Sequence, residues 1–351
     1  MALTDTVNEG FGNAPCDAAR ERFGKSLKLQ IAKNASESQY AKPCNEARKH
    51  LWNSLYPSFP ITLYRFDSAL VKSKFERRLD DVRRERLYLA PANSFNDVYD
   101  AFPYVSPDYL ANGIRNGITQ ENMALYLQFL SVFMSEKDHQ KHLSVIEPFL
   151  KNMEEWKEEM IVDLTDHLDE YLQEFRSHIR VACLTDDVIH GPMWAYYANN
   201  GNGFAVSYEI AGEDSLKVIP GPLLNTQITL CPIQYDSRLD LGALSHAPFH
   251  SQPFIPYWTT STYLALIASA SHKGKQWTYE REWRFEALAG DGFPDKAYLG
   301  LKASGIYLGY SLSEIDSRQV CDVASDLDIP AFRVMPDYLS QGTSFQIERI
   351  G

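Results

Sequence analysis

Residues 179–208 constrain the fold of this chain more than any other stretch. The apolar run at 179–184 is typical of a short buried strand, and the Pro-Met-Trp sequence at 192–194 is typical of a helix start. The Asn-Asn-Gly-Asn-Gly run at 199–203 predicts a helix end and a turn, and the alternation at 204–208 predicts a second strand. A strand, an aromatic helix, a glycine turn and a strand so close together indicate a functional site.

The composition is that of an ordinary globular protein. The chain has 351 residues, of which 44% are hydrophobic and 23% charged, enough for one large domain or for a domain with a substantial insertion. Because the formal net charge is -12, we do not expect duplex nucleic acid to be a partner.

The cysteines and the first residues favour a cytoplasmic protein. The cysteines are widely spaced and form no Cys-x-x-Cys pair, which favours reduced thiols and argues against a zinc ribbon. They are Cys16, Cys44, Cys183, Cys231 and Cys321. The opening MALTDTVNEG has neither the basic region nor the apolar core of a secretory signal. No apolar run approaches about 18 residues, so we expect no membrane-spanning helix.

The distribution of polar and apolar runs predicts an α+β fold. Residues 1–45 are expected to form a polar N-terminal arm with a helix at 18–32, and 46–351 a single domain with a helical insertion at about 105–178. The sheet is expected to be mixed and largely antiparallel. Its predicted strands lie near 61–66, 85–90, 179–184, 203–209, 228–235, 278–287, 305–309, 331–334 and 345–350.

The insertion contains an acidic amphipathic segment at 153–175. Apolar residues recur there every three or four positions, and carboxylates occupy the other face. We expect the carboxylates to be solvated and the apolar face to be buried. The residues expected to be buried are Trp156, Leu164, Leu168 and Phe175.

Four short motifs follow one another along the chain and carry a family resemblance. They are Leu63-Tyr64-Arg65, Phe95-Asn96-Asp97, Met193-Trp194-x-x-Tyr197-Ala198 and Lys275-x-Trp277-x-x-Glu280-x-Glu282-Trp283-Arg284. In these motifs the chain resembles a bacterial family known as domain of unknown function 2971, which also has a Phe-Asn-Asp-Pro-Phe-Asp turn and a Cys-Phe-Ser strand. It departs from that pattern at 98–99 and at 184–185. The family has no settled activity.

A second resemblance is to ADP-ribosyltransferases. It rests on Arg65, on the hydroxyl run at 259–262 with Thr260 and Ser261, and on Glu280-x-Glu282. The resemblance implies that Arg65 grips the pyrophosphate of NAD, the hydroxyls orient a carboxylate, and Glu280 or Glu282 is catalytic. The chain departs from that family here, because 259–262 resembles a helix start and the family's hydroxyls lie on a strand.

Further side chains are candidates for the same ligand site. Trp194 and Tyr197 are expected to stack on a nicotinamide or adenine ring, and Asn96 and Asp97 to form a polar wall. Each has a simpler structural interpretation, as helix core for the aromatics and as turn residues for Asn96 and Asp97. Since Glu280 and Glu282 are two apart on a predicted strand, we expect both on one face.

Three functions follow as hypotheses. The first is NAD-dependent ADP-ribosyl transfer to an unknown macromolecular acceptor, in bacterial stress or phage defence. The second is a non-catalytic sensor or interaction module for a small nucleotide, with Glu280, Glu282 and Arg284 as structural ion pairs. The third is a metal-dependent nuclease using Asp97, Asp186 and Glu280, although we expect no bound metal.

A nucleophilic pair of Cys183 and His190 is a weaker alternative, since a cysteine in an apolar strand is usually inert.

Overall fold

The computed structural model describes residues 14–36, 45–120, 123, 135–212, 217–218, 228–241, 260–289, 296–339 and 344–351. The strands of this part, β1 to β11 in chain order, are Ile61–Ser68, Arg86–Pro91, Ile179–Thr185, Gly203–Ile210, Lys217–Val218, Thr229–Pro232, Glu282–Leu288, Ala297–Gly300, Gly305–Leu308, Ala331–Asp337 and Ser344–Arg349. The helices, α1 to α10, are Ala14–Ser36, Asn45–Leu55, Lys72–Arg83, Pro107–Gly117, Glu136–Lys151, Met153–Asp166, Leu168–His178, Gly191–Tyr196, Thr260–Ala270 and Glu314–Asp326.

The strands join into one mixed, mostly antiparallel sheet, which confirms the predicted α+β class. Its order is β11-β10-β9-β4-β1-β3-β2-β8-β5, and β7 pairs with β3 and β6 beside this path. The pair β9–β10 is parallel, and the other ladders of the described strands are antiparallel. The short strands β5 and β8 were not predicted, because neither is long enough to show an alternation of apolar and polar residues.

The two faces of β1 bury different groups. Strand β1 pairs with β4 over its whole length, so its residues alternate between the faces of a central strand. Leu63 lies in the main core, whereas its neighbour Tyr64 lies in a smaller cluster with Phe66 and Trp194. Tyr64 is opposite Thr185, so Tyr64 and that residue of β3 point to the same face.

Helix α1 is part of the main core. Ala19, Phe23 and Leu27 are four residues apart and fully buried, so they form a narrow apolar stripe on an otherwise polar helix. The Arg20 guanidinium donates to the carbonyl oxygens of Ile233 at 2.6 Å and of Glu282 at 3.0 Å. The described part of segment 1–45 at 14–36 therefore forms a helix packed on the core, and Cys16 is buried beside the stripe.

The helical insertion comprises α4 to α7. Its carboxylate face is exposed as predicted, Leu164 and Phe175 are buried, and Trp156 and Leu168 are partly buried against the core. The continuous helix expected over 153–175 is divided into α6 and α7 at His167. None of the described helices combines the length and apolarity that crossing a bilayer requires.

Candidate functional site

The site is built around β7, a strand that carries charged side chains into the interior. Glu282, Arg284 and Glu286 alternate along it, so they share one face, and all three are buried. Strands β3 and β6 flank β7, with Cys183 and Cys231 on either side of Arg284. Since buried charges are costly unless paired, the surroundings of this face have to supply partners.

Arg284 is fully buried and fully paired. Its Nε donates to Glu282 Oε1 at 2.7 Å, its Nη1 to the Ala270 carbonyl at the end of α9 at 2.7 Å, and its Nη2 to Asp100 Oδ2 at 3.0 Å. The guanidinium also lies over the Phe95 ring, 5.4 Å from its centroid. Arg284 thereby joins the sheet, α9 and the 95–100 turn.

Lys273 brings three carboxylates together. Its Nζ lies 2.5 Å from Glu280 Oε2, 3.0 Å from Glu282 Oε2 and 3.3 Å from Asp100 Oδ2. We call Asp100, Lys273, Glu280, Glu282 and Arg284 the buried ion cluster. It contains three carboxylates and two cations, so one carboxylate has no matching positive charge within the cluster.

Glu280 reaches the cluster from outside the sheet. It ends a 3-10 helix, Lys275–Glu280, and Arg281 follows in the left-handed conformation with φ 48°. The prediction that Glu280 and Glu282 lie on one strand is therefore wrong, because the chain turns between them. Their carboxylates still meet at Lys273.

The two glutamates have opposite pKa shifts. Burial and the neighbouring Glu282 carboxylate raise the pKa of Glu280, against the opposing effect of Lys273. Burial acts on Glu282 too, but Arg284 and Lys273 outweigh it and hold the pKa of Glu282 well below its usual range. The Tyr197 hydroxyl donates a hydrogen bond to Glu280. The pKa of Glu280 is thus raised and that of Glu282 lowered, although both carboxylates contact Lys273.

A cavity of about 270 Å³ adjoins the buried ion cluster. Lys273 and Asp100 belong to both. The lining consists of Asp97, Tyr99, Asp100, Asp236, Ser237, Arg238, His272, Lys273, Gly274 and Gln276. The Arg238 guanidinium lies 5.5 Å from the Tyr99 ring centroid and 5.4 Å from that of Tyr104, and no carboxylate among the described residues pairs with it.

The structure brings several predicted site residues together here. Asp97 lines the cavity, and its Oδ2 accepts from Trp277 Nε1 at 2.9 Å. Tyr197 contacts Glu280, as described above. Asn96 is exposed beside them. Trp194 is a core residue, since it is fully buried against Phe66 and its Nε1 donates to the Val188 carbonyl at 2.7 Å.

The structure does not bring Arg65 to the site. Tyr64 is paired with Thr185, and Thr185 with Glu282, so these three side chains share one face of the sheet. Arg65 follows Tyr64 on β1, so its side chain lies on the opposite face. There its Nε is 3.6 Å from Asp67 Oδ2.

Thr260 and Ser261 begin α9, as the helix-start interpretation predicts. Their side chains and the whole of Thr259 lie outside the described residues.

In the described part of the chain, the residues of the Cys183–His190 pair and the proposed nuclease carboxylate Asp186 are engaged in other contacts. Cys183 is half-buried beside Glu282, and burial together with that carboxylate raises the pKa of its thiol, which disfavours a nucleophilic thiolate. His190 stacks on Tyr279 instead, at 6.2 Å between ring centroids. Asp186, proposed as a nuclease carboxylate, accepts from Arg281 Nε at 2.5 Å.

Within the described ranges, no three His, Cys, Asp or Glu side chains are grouped so that they could hold a metal ion.

The sequence analysis missed five of the charged and titratable groups at this site, namely Asp100, Asp236, Arg238, His272 and Lys273. The sequence could have indicated Asp100, because in the resemblance described above it aligns with the last Asp of a Phe-Asn-Asp-Pro-Phe-Asp turn. The others follow β6 or α9 in unremarkable polar segments, and only the fold places them together.

Comparison with known proteins gives no match to a family model, to a curated protein or to a solved structure. The two family resemblances remain predictions. A function therefore has to be argued from the site itself.

Proposed function

We propose that this protein binds a small nucleotide in the cavity beside the buried ion cluster. The proposal is based mainly on one observation: Arg238 lines the cavity, and no carboxylate among the described residues pairs with it. A guanidinium in this situation is a good donor for a phosphate group, since it can form two parallel charge-assisted hydrogen bonds. Tyr99 is 67% exposed beside it and offers a face for stacking a base.

Part of the cavity wall is held in place by ion pairs. Lys273 and Asp100 are held by the buried ion cluster, whose members come from the 95–100 turn, from the segment after α9 and from β7. A site whose walls are already ordered loses little conformational entropy when a ligand binds. Its volume suits one base with part of its ribose, or one end of a larger ligand.

Calorimetric titration with adenosine monophosphate tests the proposal. We expect saturable binding, weakened about tenfold or more by Arg238→Ala, because a lost charge-assisted contact costs about 1.5–3 kcal/mol. Arg318→Ala is the matched control, since that arginine is exposed and its nearest carboxylate is Glu314 at 3.8 Å. The proposal is overturned if the natural protein binds none of the common nucleoside monophosphates, or if Arg238→Ala binds as tightly as the natural protein.

A second candidate is NAD-dependent ADP-ribosyl transfer with Glu280 as general base. It is favoured by the raised pKa of Glu280, caused by burial and by Glu282, and by the hydrogen bond from Tyr197. In that reaction the bond from the anomeric carbon to the nicotinamide nitrogen breaks, and its electron pair leaves with the nicotinamide. An acceptor hydroxyl forms the new carbon–oxygen bond, and its proton passes to Glu280.

Two observations place this candidate second. Arg65 lies on the other face of the sheet, and the Glu280 side chain is 3% exposed behind Lys273. Incubation with NAD separates the candidates: nicotinamide release that Glu280→Gln abolishes supports transfer, whereas saturable binding of NAD without release supports the binding function alone.

A further inference from the structure

His272 has an unpaired ring nitrogen in the wall of the cavity. It lines the cavity and is 1% exposed. Its Nδ1 lies 2.9 Å from the Ala268 carbonyl oxygen, and a carbonyl only accepts, so Nδ1 carries the proton. Burial lowers the pKa of His272 against the opposing effect of Asp236, which favours the neutral ring. The lone pair of Nε2 therefore has no donor among the described residues.

Asp236 presents a second unpaired acceptor at the same place. Its Oδ1 is buried, has no hydrogen-bond partner in the described part of the chain, and lies 3.4 Å from His272 Nε2. The other carboxylate oxygen, Oδ2, accepts from Lys28 Nζ at 3.0 Å, which keeps Asp236 in position. Two lone pairs face each other here, and each loses its hydration without a hydrogen bond in return.

We infer that His272 and Asp236 recognise a primary amino group on the base of the bound nucleotide. An amino group has two N–H bonds on one nitrogen, one for each acceptor, whereas a hydroxyl has a single proton. A keto oxygen at the same position would add a third acceptor. The inference rests on the proposed nucleotide binding and names its ligand class, which is nucleotides with an exocyclic amine, such as adenine or cytosine, in preference to their 6-oxo or 4-oxo counterparts.

Two pairs of nucleotides that differ only at this group provide the test. Adenosine and inosine monophosphates form one pair, and cytidine and uridine monophosphates the other. We expect the amino member of at least one pair to bind about tenfold or more tightly than its oxo counterpart, because the oxo group leaves two buried acceptors unpaired. Equal affinities within both pairs overturn the inference and leave the binding function standing. If none of the four binds, the binding function fails, and the inference with it.

Two variants connect the preference to Asp236. Asp236→Asn can turn its side-chain N–H₂ toward an oxo group, so we expect the preference for the amine to shrink to about threefold or less. Asp322→Asn makes the same chemical change at an exposed residue outside the cavity lining, so it should keep the full preference. A preference unchanged by Asp236→Asn in a folded variant, judged by its thermal midpoint, contradicts the inference.

Discussion

The hydroxyl of Tyr197 donates to the carboxylate of Glu280, 83 residues further along the chain. This contact joins the residue after α8 to the end of the 3-10 helix that precedes β7. It also connects two motifs, Met-Trp-x-x-Tyr and Trp-x-x-Glu-x-Glu, whose spatial relation the sequence does not reveal. The contact makes Tyr197 a positioning residue for the carboxyl group with the raised pKa.

Removing the Tyr197 hydroxyl should destabilise the protein, because Glu280 loses a hydrogen-bond donor. Tyr197→Phe leaves one oxygen of a buried carboxylate without its donor, so we expect the free energy of unfolding to fall by about 1–3 kcal/mol. In a Glu280→Gln background the loss of unfolding free energy should be smaller. Urea denaturation of the natural protein, the two single variants and the double variant gives the coupling energy. Tyr196→Phe is the control, because that tyrosine is 75% exposed. Additive effects of the two substitutions would contradict the contact.

Lys273 should be far more important for stability than its neighbour Lys275. Lys273→Met leaves Glu280, Glu282 and Asp100 sharing one remaining cation in the interior, and breaking a buried pair in this way costs about 3–5 kcal/mol. The exposed Lys275→Met should change the unfolding free energy by no more than about 0.5 kcal/mol. Chemical denaturation at neutral pH measures the unfolding free energy of both variants. If the two substitutions lower it by comparable amounts, the buried ion cluster is solvated.

The fold was more predictable than the site, for a physical reason. Strand and helix signals are local, so the strands of Arg65 and Cys183 were recognised from short apolar runs and the acidic helices from periodicity. The side of the sheet on which Arg65 lies depends on its pairing with β4, and this pairing is not local. The turn that separates Glu280 from β7 depends on the left-handed conformation of Arg281. The sequence gives no signal for it, because glycine and asparagine are the usual residues in this conformation.

Helix α1 should be required for the stability of the domain. Phe23 is fully buried, and Phe23→Ala is expected to cost about 3–5 kcal/mol because it deletes a large side chain from a packed core. Leu29→Ala is the control on the same helix, since Leu29 is 65% exposed. Thermal unfolding of both variants measures the difference. A midpoint for Phe23→Ala equal to that of the control would show that α1 adds no stability to the domain, as expected of a polar N-terminal arm.

Cys183 should be a poor nucleophile. Burial and the Glu282 carboxylate raise the pKa of its thiol, so the thiolate fraction at pH 8 is small. We expect iodoacetamide to label Cys183 in the folded protein much more slowly than in the urea-unfolded protein, and Cys183→Ala to bind nucleotides normally. Mass spectrometry of the Cys183 peptide follows the labelling. Rapid stoichiometric labelling of the folded protein with loss of ligand binding would support the pair of Cys183 and His190 instead.

Glu286 should make the protein less stable as the pH rises. It is fully buried on the inner face of β7, and burial raises its pKa well above the usual range against the smaller opposing effects of Arg284 and the Cys231 thiol. The folded state therefore keeps a proton that the unfolded state releases above about pH 4.3. Each further pH unit, up to the pKa of the folded state, then costs about 1.4 kcal/mol of unfolding free energy for this one group.

Glu286→Gln removes this titration and keeps the shape of the side chain. Near pH 4, where the glutamate is mostly protonated even in the unfolded state, we expect the variant to be as stable as the natural protein or slightly less stable. At pH 8 it should be the more stable protein, because the natural chain then favours the unfolded state in which Glu286 is ionised. Urea denaturation at pH 4, 6 and 8 measures the trend, with the exposed Glu348→Gln as control. If Glu286→Gln has the same effect at all three pH values, the Glu286 carboxylate has a cationic partner in the folded protein and its buried, protonated state is contradicted.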